Sequence, residues 1–222
     1  MNPDFQAVFW DFGGVLTDSP FDAFARYEHE QGLPRDFLRG TNAINPHTNA
    51  WARFERGEIN AETFDELFRA ETAARGYPVN GRDLLPLLAG DLRTGMVRVL
   101  DEVRRHYRVA CLTNNSPSGT GAGMSRDPDH ARAVEAVMQR FAFVLESSHA
   151  GVRKPEPAFY EQACELAGVA PRTVVFLDDL GVNLKPAREL GMTTIKVGSP
   201  EQAVTELEAQ LKVPLRRALH EV

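Results

Sequence analysis

Two acidic positions, far apart in a chain of 222 residues, follow the same kind of apolar run. Asp11 comes after Ala7-Val8-Phe9-Trp10 and just before Phe12-Gly13-Gly14. Asp178-Asp179 comes after Val174-Val175-Phe176-Leu177. Each reads as a buried strand that stops at a carboxylate. Open parallel sheets bind ligands at the carboxyl ends of their strands. Glycines behind Asp11 let the backbone turn and let a ligand approach closely. Carboxylates that converge on one point are costly unless a cation or a proton lies between them. The pattern therefore predicts a site that gathers positive charge.

Two further polar groups follow apolar runs. Thr113-Asn114-Asn115 follows the run at 108–112, and Arg153-Lys154-Pro155 follows the run at 141–145 after a short loop. Taken singly, each group has an ordinary structural explanation: a turn aspartate, a polar loop, a solvated lysine, a helix cap. Together, in this order and at one edge of one sheet, they read as a site.

The elements that must position them alternate after residue 90. Strands are predicted at 7–10, 108–112, 141–145, 173–177 and 193–197. Helical stripes lie between them: Leu92, Met96, Val99, Leu100 and Val103; a segment at 129–139; Phe159, Tyr160, Ala163, Cys164 and Ala167, with Pro155 and Pro157 near its start; Leu184, Ala187 and Leu190; and Ala203, Val204, Leu207 and Leu211. Such alternation predicts an α/β fold with a Rossmann-like parallel sheet and helices on both faces. Residues 18–90 break the pattern. They hold helical aromatic stripes (Phe21, Phe24 and Tyr27; Phe64, Leu67 and Phe68) and no convincing strand. An all-helical insert after the first strand is predicted there, with a core of 1–17 and 91–222 and hinges near 17–20 and 88–95. Placed after Asp11, the insert would sit over the strand ends as a lid. The segment 116–129, rich in Gly, Ser, Pro and Asp, is expected to be a loop near the site.

Composition excludes other classes. A net charge of −6 argues against a nucleic-acid partner. No apolar segment reaches the length of a membrane span. The first residues lack the basic region and apolar core of a signal peptide, and Cys111 and Cys164 fall at buried-looking positions that favour free thiols; both point to the cytoplasm.

The order of the four groups resembles the haloacid dehalogenase-like (HAD) hydrolase superfamily, over nearly the whole chain. Asp11-Phe12-Gly13-Gly14-Val15-Leu16, Arg153-Lys154-Pro155-Glu156-Pro157 and Phe176-Leu177-Asp178-Asp179-Leu180-Gly181-Val182-Asn183-Leu184 resemble one branch of it. That branch includes the N-terminal phosphatase domain of soluble epoxide hydrolase and domains fused to acyl-CoA dehydrogenases. The resemblance implies a helical cap domain at 18–90 and a Mg²⁺-dependent phosphatase acting on a small phosphorylated metabolite. Asp11 would be the nucleophile, forming an aspartyl-phosphate. Asp11, the Gly13 carbonyl and Asp179 would be metal ligands, with Asp178 acting through water or from behind a ligand. The Thr113 hydroxyl and the Asn114 backbone N–H would hold phosphoryl oxygens, Lys154 would neutralise Asp11 and the phosphate, and Asn183 would brace the metal loop. A cap-mediated homodimer is compatible with the same resemblance.

One position departs from it. Most phosphatases of the family carry a general acid/base Asp where this chain has Gly13. The loss of such a group typically costs on the order of 10²–10⁴ in rate. Three readings follow: a phosphatase whose proton comes from elsewhere, a different chemistry, or a catalytically silent domain that binds phosphate or a metabolite. The only lysines are Lys154, Lys185, Lys196 and Lys212, so the insert has none for a Schiff base. The tandem acids disfavour metal-free dehalogenation. His149 is a candidate substitute acid, with a surface or capping role as its plainer reading. Asp18 is a second nearby carboxylate that could instead cap the first cap helix. Trp51 and Phe54 read as cap core rather than a substrate platform. His47, Arg39 and Arg53 could meet a substrate anion, but read first as solvated.

Overall fold

The computed structural model describes residues 4–115 and 127–220. Five strands form one parallel sheet in the order β3-β2-β1-β4-β5: β1 (Ala7–Trp10), β2 (Arg108–Thr113), β3 (Phe143–Glu146), β4 (Val174–Asp178) and β5 (Thr193–Lys196). The order places β1 at the centre, flanked by β2 and β4. The register sets Trp10 level with both Cys111 and Leu177, so Asp11 and Asp178 leave neighbouring strands side by side.

Strand side chains alternate between faces, and the two faces build separate cores. Val8, Trp10, Val109, Cys111, Val175, Leu177 and Ile195 pack on one side against α5 (Thr94–Val103), α6 (Pro128–Met138), α10 (Pro200–Leu211) and α11 (Arg216–His220). Ala7, Phe9, Ala110, Leu112, Val174 and Phe176 pack on the other against the short α7 (Ser147–Ala150), α8 (Pro157–Ala167) and α9 (Gly181–Glu189). Cys111 and Cys164 are buried free thiols in opposite layers, and burial pushes both up, Cys164 to about 11.

Between β1 and α5 the described chain is helical: α1 (Pro20–Glu30), α2 (Phe37–Asn42), α3 (Ala50–Glu55), α4 (Ala61–Ala73) and two short 3₁₀ turns, Gly81–Asp83 and Leu85–Leu88. These enclose their own aromatic core, in which Phe54 stacks on Phe64 at 4.4 Å and Trp51 meets Phe24, Phe64 and Phe68 edge-on. Trp51 and Phe54 thus serve as core. The two crossings to the sheet lie together: Thr17 bridges Leu92, Asp18 N–H donates to Asp91, and Arg93 N–H donates to Leu16.

Several expected boundaries shift, each for a local reason. Leu92 belongs to that crossing, and α5 starts at Thr94. Thr173 closes a 3₁₀ turn opened by Pro171, its hydroxyl bonded to Ala170. Phe141 and Ala142 precede β3, with Phe141 buried in the core. The segment expected as a loop over 116–129 lies outside the described residues as far as 126; beyond it, the Asp127 side chain accepts from the Asp129 N–H and α6 begins at Pro128. Among the described residues no helix is long and apolar enough to cross a membrane.

Candidate active site

The loop after β1 is built around one carbonyl. Phe12 C=O accepts the N–H groups of Val15, Leu16 and Thr17, folding the chain back within five residues. This turn needs Gly14, which adopts φ +74°. A Cβ there would also lie 2.2 Å from Asp179 Oδ2, so the second acidic loop closes onto the first only over a glycine. Gly13 differs. An added Cβ would meet only Pro20 at 3.9 Å, in ordinary contact.

Asp11, Asp178 and Asp179 each offer a carboxylate oxygen within 4.8 Å of the others. Lys154 joins two of them. Its ammonium, 1% exposed, lies 2.7 Å from Asp11 Oδ1 and 2.8 Å from Asp178 Oδ2, and 5.7 Å over the Phe176 ring. A buried charge is tolerated when paired and hydrogen-bonded. Asp178 meets that condition fully: Lys154, the Asn183 side-chain amide (3.0 and 3.1 Å) and the Leu180 N–H (2.8 Å) occupy its oxygens. Asn183 is itself held by Tyr160, whose hydroxyl donates to its carbonyl at 2.6 Å. Asp179 has a weaker shell, its polar neighbour being the Ser19 hydroxyl at 3.5 Å.

Titration follows this geometry. Burial raises Asp11 well above the ordinary carboxylate range; Lys154 opposes the rise, and Asp178 and Asp179 add to it. Burial, then Asp178, pushes Asp179 up to about 6. Burial alone would lower Lys154, but Asp11 and Asp178 reverse that and hold it firmly charged. One lysine thus faces three carboxylates, a cluster short of positive charge.

Each residue named from the sequence has a definite place. Asp11, Lys154, Asp178, Asp179 and Asn183 come together. Thr113 ends β2 beside them, buried, and its hydroxyl has no protein partner among the described residues. Asn114 uses its side chain to hold the backbone of Lys154, donating to its carbonyl and accepting its N–H, both at 2.9 Å. His149 stands apart, its side chain 83% exposed and paired with Glu146 at 2.8 Å. Asp18 does not cap α1; Ser19 holds that position, and Asp18 pairs with Arg93 at 3.4 Å. Arg53 faces Glu58, and Arg39 lies over the Phe21 ring.

Sequence reasoning missed three contributors. Arg93 donates to the Gly14 carbonyl at 2.8 Å, tying the second crossing to the site turn. Ser19 reaches Asp179. Glu55, from the helical insert, contacts Asn114 and Arg153. None belongs to a local motif; their significance comes only from the folded contacts.

A parallel sheet with acids and a buried lysine at its carboxyl edge, beneath a helical insert after the first strand, defines a class of hydrolase. The chain belongs to the haloacid dehalogenase-like hydrolase family, whose model matches residues 5–191. Mouse acyl-CoA dehydrogenase family member 10 is 34% identical over 224 residues, covering 95% of this chain and 20% of that protein. Mouse bifunctional epoxide hydrolase 2 is 31% identical over 210 residues, covering 90% and 37%. This chain therefore spans well under half the length of either relative. A protein of Mycobacterium tuberculosis named as a phosphatase is 28% identical, with 84% of each chain covered. Among solved structures, a HAD family enzyme of Bacteroides thetaiotaomicron, an Asp-to-Ala variant in complex with magnesium and inorganic phosphate, has the same fold: TM-score 0.58, 23% identity, 88% of this chain and 96% of that one.

Proposed function

We propose that this chain is a Mg²⁺-dependent phosphatase of small phosphate monoesters, with Asp11 as its nucleophile. The observation that carries the reading is Lys154, buried and bridging Asp11 and Asp178 at 2.7 and 2.8 Å. A lysine so placed keeps Asp11 aimed and supplies charge where a phosphoryl group would arrive. In the first step an Asp11 oxygen bonds to phosphorus and the ester P–O bond breaks, its electrons leaving with the alcohol oxygen. In the second, water attacks the aspartyl-phosphate, releasing phosphate and restoring the carboxylate. Thr113, and the Asn114 backbone N–H, are assigned to the phosphoryl oxygens. Gly13 offers no proton, so water or the substrate's own acidic group protonates the leaving alcohol.

The residues fit a hard divalent cation. The donor set is oxygen only, three carboxylates lie within reach of one point, and Asp179 rests in the space that Gly14 leaves open. Asp11, Asp179 and the Gly13 carbonyl would hold the ion. Asp178, with its oxygens already engaged, would act from behind them. Bound Mg²⁺ would supply the positive charge the cluster lacks. In this reading 1–17 and 91–222 form the core domain and 18–90 the cap.

The relatives are compatible with it: one is named as a phosphatase, and the Bacteroides enzyme was solved with magnesium and phosphate. A second reading, a silent binder of phosphate or a phosphorylated metabolite, is favoured by one observation, the missing acid/base at Gly13. The discriminating experiment is phosphate release from a panel of phosphomonoesters with Mg²⁺ and with chelator, for wild type and Asp11→Asn. Metal-dependent release that the variant abolishes supports the phosphatase. Binding of phosphate and Mg²⁺ without turnover on any ester supports the binder.

A further inference from the structure

Glu55 ends α3 inside the cap, yet its carboxylate lies against the core. Oε1 accepts from the Trp51 indole N–H at 2.9 Å. Oε2 accepts from Asn114 Nδ2 at 3.2 Å and from Arg153 Nε. The Glu55 and Arg153 side chains are only 13% and 14% exposed, so this is no solvated surface pair. Trp51 in turn is wedged among Phe24, Phe64 and Phe68. The carboxylate is thus fixed from behind by the aromatic core of the cap.

What it fixes in front is the direction of an amide. Asn114 spans both backbone polar groups of Lys154, with Oδ1 on the N–H and Nδ2 on the carbonyl. A side-chain amide has one accepting end and one donating end, the latter with two hydrogens. With Glu55 present, Nδ2 faces two acceptors, the Lys154 carbonyl and the carboxylate. Flipped, Oδ1 would face both of those acceptors while Nδ2 faced the Lys154 N–H, a donor. The Lys154 backbone already favours this orientation, and Glu55 reinforces it by taking the second Nδ2 hydrogen. Arg153, the residue before, is held by the same oxygen.

We propose that Glu55 is a positioning residue for Lys154. The docked cap delivers one carboxylate that sets the lysine between Asp11 and Asp178, so the site is complete only with the cap in place. The catalytic part of this proposal rests on the phosphatase reading; the mechanical link does not.

The test reads both. Exchange of the Lys154 amide hydrogen is followed by NMR, with Phe9 as an internal reference for the sheet, and turnover is followed with p-nitrophenyl phosphate and Mg²⁺. For Glu55→Ala we expect Lys154 exchange to rise about tenfold or more with Phe9 unchanged. We expect kcat to fall roughly 10- to 100-fold, with KM moving less than about threefold. Glu55→Gln, which keeps an acceptor, should recover most of both. Arg56→Ala removes a neighbouring cap-core pair, Arg56–Glu156 at 3.1 Å, and should leave the Lys154 amide protected. Unchanged Lys154 exchange in Glu55→Ala overturns the proposal whatever the turnover, and so does equal deprotection by Arg56→Ala. A wild type that turns over no ester overturns the phosphatase reading instead, and exchange still decides the link.

Discussion

The floor and the roof of this site are built on opposite principles. The floor, at the carboxyl edge of the sheet, gathers three carboxylates, two of them on one buried ammonium, and is short of positive charge. The roof is an aromatic cluster that sends one carboxylate, Glu55, down to the floor. In the floor Asp11, Lys154 and Asp178 are held by short charged hydrogen bonds. In the roof, position comes from apolar packing, which tolerates exchange of shape better than loss of volume. Damage to the floor should therefore show in chemistry, and damage to the roof in stability.

Lys154→Met breaks the floor and should have the largest effect. Removing one partner of a buried charge cluster costs about 3–5 kcal/mol. It should also reduce turnover on the order of 10²–10³-fold. Thermal melts would check the first loss and steady-state kinetics the second; a variant as stable as wild type would mean that the ion pairs do not carry the floor. Phe64→Ala breaks the roof. It removes a fully buried ring that stacks on Phe54, so about 3–5 kcal/mol of stability should go. Turnover per folded molecule, measured well below the melting temperature, should fall far less than in Lys154→Met. Equal losses of rate would erase the distinction between the two regions.

Gly13→Asp adds a group to the floor instead of removing one. A Cβ added there meets only Pro20, so the backbone should accept the substitution and a proton donor would enter the floor. A gain in kcat of about 10²-fold is expected, the low end for a positioned acid/base. No gain in a folded variant would mean that proton transfer does not limit the wild type.

The smallest effect is a pH dependence. Asp179 is raised from an ordinary 3.8 to about 6. A group raised by folding stabilises fully below its unfolded value, and that contribution is lost as pH rises through the folded one. The metal-free protein should therefore lose stability between about pH 4 and about pH 6 on this account. Mg²⁺ held as proposed would compete with those protons, so its increment in melting temperature should be small near pH 5 and larger near pH 7.5, a matter of a few degrees. An equal increment at both pH values would separate Asp179 from the metal.

The floor was legible because its parts are short strings at strand ends. Asp11 with Gly13-Gly14, Lys154 before Pro155, and Asp178-Asp179 with Asn183 each declare themselves within a few residues. Parallel pairing then brings them together without further information. Strand limits moved where a proline or a side-chain bond intervened, as at Pro171 and Thr173. Glu55 was not legible. Its partners Asn114 and Arg153 lie 59 and 98 residues away, and no periodicity connects a helix end in the cap to two loops of the core. The same holds for Arg93, whose contact with Gly14 spans 79 residues. His149 shows the converse: proximity to Lys154 in sequence placed it near the site, while the fold turned it to solvent and to Glu146.

As a nucleophile, Asp11 would carry the phosphoryl group between the two steps. Acid quench during turnover of a phosphomonoester with Mg²⁺, followed by peptide mass spectrometry, tests it directly. One acid-stable, base-labile phosphoryl adduct is expected, on the peptide that contains Asp11, absent in Asp11→Asn and absent without metal. Turnover without any adduct on Asp11, or with the adduct on another residue, would contradict it.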